Sequence, residues 1–165
     1  MTRKTLIAVA AQVALMLVGL VSPLAVKTTG TTAYLETQPV DPRALFRGDY
    51  VTLGYAVGQS ILSQEMATES RQTGYPIYVT VTTDRPAQFV AASLERPEVG
   101  DGHVCLMGRV RRFSDQRTVD FPQIAQHFVP EGEGREIERR LGESLLAEVK
   151  VTGRCNAVLE GLEPL

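Results

Sequence analysis

FRGDYVTLGY, residues 46–55, is the stretch on which the reading of the fold turns. From Tyr50 it alternates. Val51, Leu53, Tyr55 and, two residues on, Val57 fall on one face, while Tyr50, Thr52, Gly54 and Ala56 fall on the other. That two-residue period is the signature of a half-buried strand. Gly48 tolerates backbone angles that other residues resist, and the Asp49 carboxylate can bond the backbone ahead of it. The spacing therefore predicts a turn that launches a strand, with Leu53 and Tyr55 directed inward. Tyr50 points the other way, across the loop formed by residues 41–47, where Arg43 and Arg47 are placed to pair with Asp41 or Asp49. The tripeptide Arg47-Gly48-Asp49 runs into a strand instead of capping an exposed loop tip, so an adhesion role is not expected.

The same pattern continues outward. Residues 34–38 read as a first strand, and Pro39-Val40-Asp41-Pro42-Arg43 as a turn, because Pro presets φ and Asp bonds the following backbone. Residues 77–83 (IYVTVTT) and 89–94 are rich in β-branched or apolar residues and are joined by a hairpin-like Asp84-Arg85-Pro86-Ala87. Residues 104–112 form a further strand, in which Gly108 suggests a bulge or bend. Residues 145–151 and 157–162 flank Thr152-Gly153-Arg154-Cys155-Asn156 as a closing hairpin. Residues 136–143 suit a short helix, residues 59–71 either a short helix or a long loop, and residues 119–128 fit no element clearly. Many short strands with few helical turns predict a mainly β or α+β domain, a compact barrel-like antiparallel sheet with one or two short helices.

Ahead of this domain, residues 6–26 (LIAVAAQVALMLVGLVSPLAV) contain no charge. As a helix they span roughly 30 Å, the thickness of the hydrocarbon core. Arg3 and Lys4 precede the run and only Lys27 follows it closely, which puts residues 1–5 in the cytoplasm and the remainder outside. The organisation expected is a cytoplasmic N-terminus (1–5), a single transmembrane anchor (6–26), a polar linker (27–32, KTTGTT) and an extracytoplasmic domain (33–165). A cleaved signal peptide followed by secretion is the alternative. Against it, the apolar run continues past Ser22-Pro23, and Leu20 and Pro23 occupy positions where cleavage wants small residues.

The chain has 165 residues, a formal net charge of -2 and no Trp. Neither a basic surface nor a base-stacking platform is available, so nucleic acid is not an expected partner. The lipid bilayer is, through the N-terminal helix. The two cysteines, Cys105 and Cys155, lie in the exported part. They form either an intramolecular disulfide, which persists outside the cytoplasm, or two separate buried thiols. Neither has a second Cys or His at ligand spacing, and the two histidines, His103 and His127, stand far apart, so neither a metal nor a cofactor is expected. A Ser–Lys hydrolase of the signal-peptidase type shares a Gly-Asp turn into an apolar strand. Here residues 31–47 contain no Ser, and Lys150 is the only Lys after Lys27.

With Gly48-Asp49-Tyr50-x-x-Leu53-x-Tyr55 on the page, the chain resembles the GDYXXLXY family of bacterial membrane-anchored proteins. The approach segment with Asp41, Pro42, Arg43 and Arg47 is also similar to that family. So is a second segment, Phe128-Val129-Pro130-Glu131-Gly132-x-Gly134, ahead of a short helix. The resemblance spans nearly the whole exported domain and supplies no catalytic residue. It implies a periplasmic, non-enzymatic accessory or binding domain that works with a polytopic membrane protein. Two alternatives stay open at this level. One is an envelope hydrolase with its site near the Gly-Asp-Tyr turn, at Asp41, Arg47, Asp49 and Tyr50. The other is a small-ligand sensor.

Overall fold

The computed structural model describes residues 3–38, 50–59, 74–113, 116–128 and 145–165. Helix α1 (Arg3–Thr29) opens the chain, and it is long and apolar enough to cross a membrane. Its last turn is closed locally. The Thr28 hydroxyl donates to the Leu24 carbonyl and the Thr29 hydroxyl to Ala25, each one turn back along the helix, and the Gly30 N–H donates to Val26.

Strand β1 (Thr31–Gln38) starts one residue later. The polar stretch 27–32, expected as a linker, is thus divided between the end of α1, Gly30 and the start of β1. The reason is packing. A Cβ on Gly30 would sit 2.5 Å from the Val26 carbonyl oxygen, 3.0 Å from the Val151 nitrogen and 3.1 Å from the Lys150 Cβ. Only glycine lets the helix end approach the chain at Lys150 and Val151 this closely. Val26 is buried, and Lys27 pairs with Glu160 at 3.3 Å.

Two four-stranded antiparallel sheets enclose the core. The first has the order β10-β9-β1-β3, with β9 at Leu145–Val151, β10 at Ala157–Pro164 and β3 at Gly54–Tyr55. Along β1 the residues Ala33, Leu35 and Thr37 are buried and their neighbours half-buried, the alternation expected of a strand with one covered face. Buried Thr37 is satisfied by donating to the Leu145 carbonyl at 2.9 Å. In β10 the register shifts between Leu159 and Gly161, which leaves Glu160 unpaired in the ladder and free to meet Lys27.

The second sheet has the order β5-β4-β6-β7: β4 Pro76–Thr82, β5 Phe89–Ser93, β6 His103–Phe113 and β7 Gln116–Asp120. Ile77, Val79 and Val81 from β4 and Leu106 from β6 are fully buried against Leu35 and Val149 of the first sheet. Each such side chain contributes about 1.5–3 kcal/mol through burial.

The class is mainly β, as the alternation predicts. Among the described strands no ladder joins the two sheets, so they do not close into a barrel. Point contacts bridge them instead. The Ala87 N–H donates to the Tyr34 carbonyl at 2.7 Å, the Arg85 guanidinium lies over the Tyr34 ring and bonds Glu163, and the Met107 N–H donates to the Cys155 carbonyl at 3.2 Å. Cys105 and Cys155 are joined as a disulfide, which ties β6 to the turn between β9 and β10.

Two element expectations change. The strand expected over residues 50–57 is broken into β2 (Tyr50–Thr52), β3 and a helical turn, α2 (Ala56–Gln59), although Leu53, Tyr55 and Val57 all face inward. Gly108 makes no bulge, since β4 and β6 pair in unbroken register through it. A side chain there would collide with Val119 and crowd Phe121, so the glycine admits close packing. The short helix expected over residues 136–143 lies outside the described residues, as does all of residues 59–71 except Gln59.

Removing the disulfide with Cys105→Ser and Cys155→Ser frees a segment that spans 50 residues. The expected loss is about 2–4 kcal/mol of domain stability. Urea unfolding of the full chain in micelles measures it, and a change below 1 kcal/mol (roughly the typical single-mutation effect) would contradict a structural role for the bridge.

Candidate functional site

The motif strand does not stay with one sheet. Tyr50, Val51 and Thr52 of β2 pair antiparallel with Phe128, His127 and Gln126 of β8 (Gln126–Phe128), forming a separate two-stranded ribbon. The Leu53 N–H then donates to the Ala125 carbonyl at 2.8 Å, extending the pairing by one bond. From Gly54 the chain switches partner and pairs with β1, Gly54 opposite Gln38 and Tyr55 opposite Thr37. Three residues thus carry the backbone from a ribbon into a main sheet.

Two buried side chains fix this switch. Leu53 enters the core. Tyr55 is buried, donates its hydroxyl to the Ile124 carbonyl at 2.6 Å, and meets Phe121 edge-to-face at 6.0 Å between ring centres. Burial pushes the Tyr55 phenol well above its ordinary value, so at neutral pH it is a hydrogen-bond donor and not a phenolate. The motif's second tyrosine is therefore a hook that holds residues 121–125 in place.

That hook has a consequence for the two family-like segments. The ladder ends with Tyr50 opposite Phe128. Tyr50 opens β2 and Phe128 closes β8, so the first and last residues of the two strands meet at one end of the ribbon. Asp41, Pro42, Arg43, Arg47, Gly48 and Asp49 lie outside the described residues, as do Pro130, Glu131, Gly132 and Gly134. Of the residues expected at this site, Tyr50 and Phe128 cap the ribbon, whereas Leu53 and Tyr55 belong to the core. Cys105 and Cys155 sit elsewhere: β1 starts opposite Val151, one residue before the turn that contains Cys155, and ends opposite Gly54. The disulfide is at the α1 end of the molecule and the ribbon is at the other, separated by the length of β1, roughly 25 Å.

His127 faces Val51 across the ribbon, and partial burial lowers its imidazole below the ordinary 6.5. It is neutral at pH 7, able to donate from one ring nitrogen and accept at the other. His103 pairs with Thr82 in the other sheet, and Lys150 donates to the Thr32 hydroxyl beside α1. Neither is near the ribbon. Among the described residues no three His, Cys, Asp or Glu side chains gather as a metal site. The contribution of Phe121, Ile124 and Ala125 was missed in the sequence. The inward pair Val119 and Phe121 was a usable signal, but the period breaks before Ile124.

Replacing Tyr55→Phe removes one donor from a buried carbonyl and is expected to cost about 1–2 kcal/mol, read by urea unfolding. His127 supplies a pH signature. The unfolded chain binds its proton more readily than the folded one, so stability is fully present above pH 6.5 and falls as pH drops toward the lower folded value. His127→Gln should flatten that decline. An identical pH dependence in the two proteins would refute the assignment.

A family model described as GDYXXLXY protein matches residues 12–162. No curated protein and no solved structure matches the chain.

Proposed function

The chain belongs to the GDYXXLXY protein family, and we propose that it is a membrane-anchored extracytoplasmic binding domain that works beside a larger, polytopic membrane protein. One observation carries the reading: a single residue, Gly30, joins the apolar helix to the first strand, and that residue is packed on both sides. The Gly30 N–H to Val26 bond, buried Val26 and the Lys27–Glu160 pair couple the helix to the sheet. A tethered enzyme that meets soluble substrates needs no fixed height or orientation. A domain that must present one end to a membrane neighbour needs both.

The same coupling favours an anchor over a cleaved signal peptide, because cleavage after Ser22 or Ala25 would detach Val26 from the helix that seats it in the domain. The Arg3 and Lys4 side chains at the start of α1, ahead of its uncharged run, favour a cytoplasmic N-terminus and a periplasmic domain. The disulfide suits that oxidising compartment. The β2–β8 ribbon, at the end of β1 away from α1, is the surface we assign to the partner, with Tyr50 and Phe128 at the end of its ladder.

Detergent extracts of native membranes should yield the full chain together with a polytopic membrane protein. Inserting a flexible Gly-Ser segment between Thr29 and Gly30 should leave the domain folded, by its unchanged urea midpoint, and reduce recovery of that partner several-fold. Elution of the unmodified chain alone, as a monomer, would overturn the proposal, and undiminished recovery with the insertion would overturn the role of the rigid junction.

A further inference from the structure

A cleft of about 310 Å³ opens at the α1 end of the domain, lined by Thr31, Asp101, Gly102, His103, Thr152 and Gly153, with Val99 and Val151 as apolar walls. It lies at the low end of ligand-site volumes, about 300–1,000 Å³. Two features make it more than a surface dent. The first is position. Thr31 follows the last residue of α1 by two, within about 7 Å of chain, so the cleft stands where a membrane-crossing helix would leave the bilayer.

The second is its polar groups. Two tight turns face each other across it. In one, the His103 N–H bonds the Gly100 carbonyl and Gly102 adopts φ +77°. In the other, the Cys155 N–H bonds the Thr152 carbonyl at 2.9 Å, and the disulfide pins the turn to β6. The central N–H groups of these turns, on Asp101, Gly102 and Gly153, make no hydrogen bond among the described residues, whereas the Asp101 carboxylate supplies a negative charge on the same lining. The Thr31 hydroxyl adds a further donor, whereas the Thr152 hydroxyl donates to the Asn156 carbonyl and His103 Nδ1 to the Asp101 carbonyl. Donors for an anion beside an acceptor for a cation call for a zwitterion whose charges lie a few bonds apart.

We propose that this cleft binds the headgroup of a phospholipid of the phosphatidylethanolamine type, with the phosphate on the turn N–H groups and the Thr31 hydroxyl and the primary ammonium on Asp101. A headgroup lacking a cation would leave Asp101 facing a phosphate, and a quaternary ammonium has no N–H to donate to the carboxylate. Val99 and Val151 would meet the glycerol portion. Lys27 and Lys150 are engaged by Glu160 and Thr32. The proposal rests on α1 entering the bilayer, which carbonate extraction of membranes tests separately.

The experiment uses the full chain in maltoside micelles, titrated with short-chain phosphatidylethanolamine, phosphatidylglycerol and phosphatidylcholine and with inorganic phosphate, while the amide NMR signals of Gly102 and Gly153 are followed. Saturable shifts with phosphatidylethanolamine are expected, about tenfold tighter than with either other lipid, since one charge-assisted hydrogen bond contributes on that scale. Asp101→Asn should erase the preference among the lipids while leaving the spectrum otherwise folded. No saturable shift with any probe, an equal response to phosphatidylglycerol, or saturation by inorganic phosphate alone would each overturn the headgroup assignment.

Discussion

The hydrogen bonding of β1 is the constraint on which the rest of the molecule depends. Its eight residues begin one residue after a helix and end at the motif ribbon, and both edges must find partners along the way. On one edge β9 pairs with residues 31–36. On the other, β3 pairs with Thr37 and Gln38, and the Ala87 N–H meets the Tyr34 carbonyl. The β3 pairing forces the motif strand to switch away from β8 at Leu53, and the Ala87 bond draws the loop between β4 and β5 over the first sheet. One strand therefore sets the distance between the helix junction and the ribbon and brings the two sheets face to face.

Short strands leave open edges, and this protein covers several of them with single contacts in place of ladders. β7 pairs with β6 only from Arg109 onward. Beyond it the Met107 N–H meets the Cys155 carbonyl, and the disulfide at Cys105 holds that contact in place. A closed barrel would have satisfied the same groups with continuous ladders. Two sheets bridged at points keep the ends of the molecule distinct, one around the helix and one around the motif.

Much of the site was legible in residues and little in its assembly. Leu53 and Tyr55 could be placed inward because alternation encodes a face directly. That Tyr55 bonds the Ile124 carbonyl, 69 residues away in sequence, could not be read, since nothing local to either residue prefers that partner. Residues 119–128 resisted assignment for a physical reason. They comprise the end of one strand, a turn held by the Ile124 N–H to Phe121 carbonyl bond, and a three-residue strand, each too short to set a period. Gly108 was ambiguous in the same way: a strand glycine marks either a bulge or a close approach, and only Val119 and Phe121 on the neighbouring chain decide which.

The sequence by itself determined the apolar helix, the mainly β class, the inward faces of the strands and the family, because composition and period act within a few residues. Only the tertiary structure decided that helix and sheet join through Gly30 with no linker, that the motif splits between a ribbon and a sheet, and that a polar cleft forms beside the helix end. Those outcomes depend on how closely backbones distant in sequence approach one another and on which open edge each finds first. Both are properties of packing, and no local run of residues carries them.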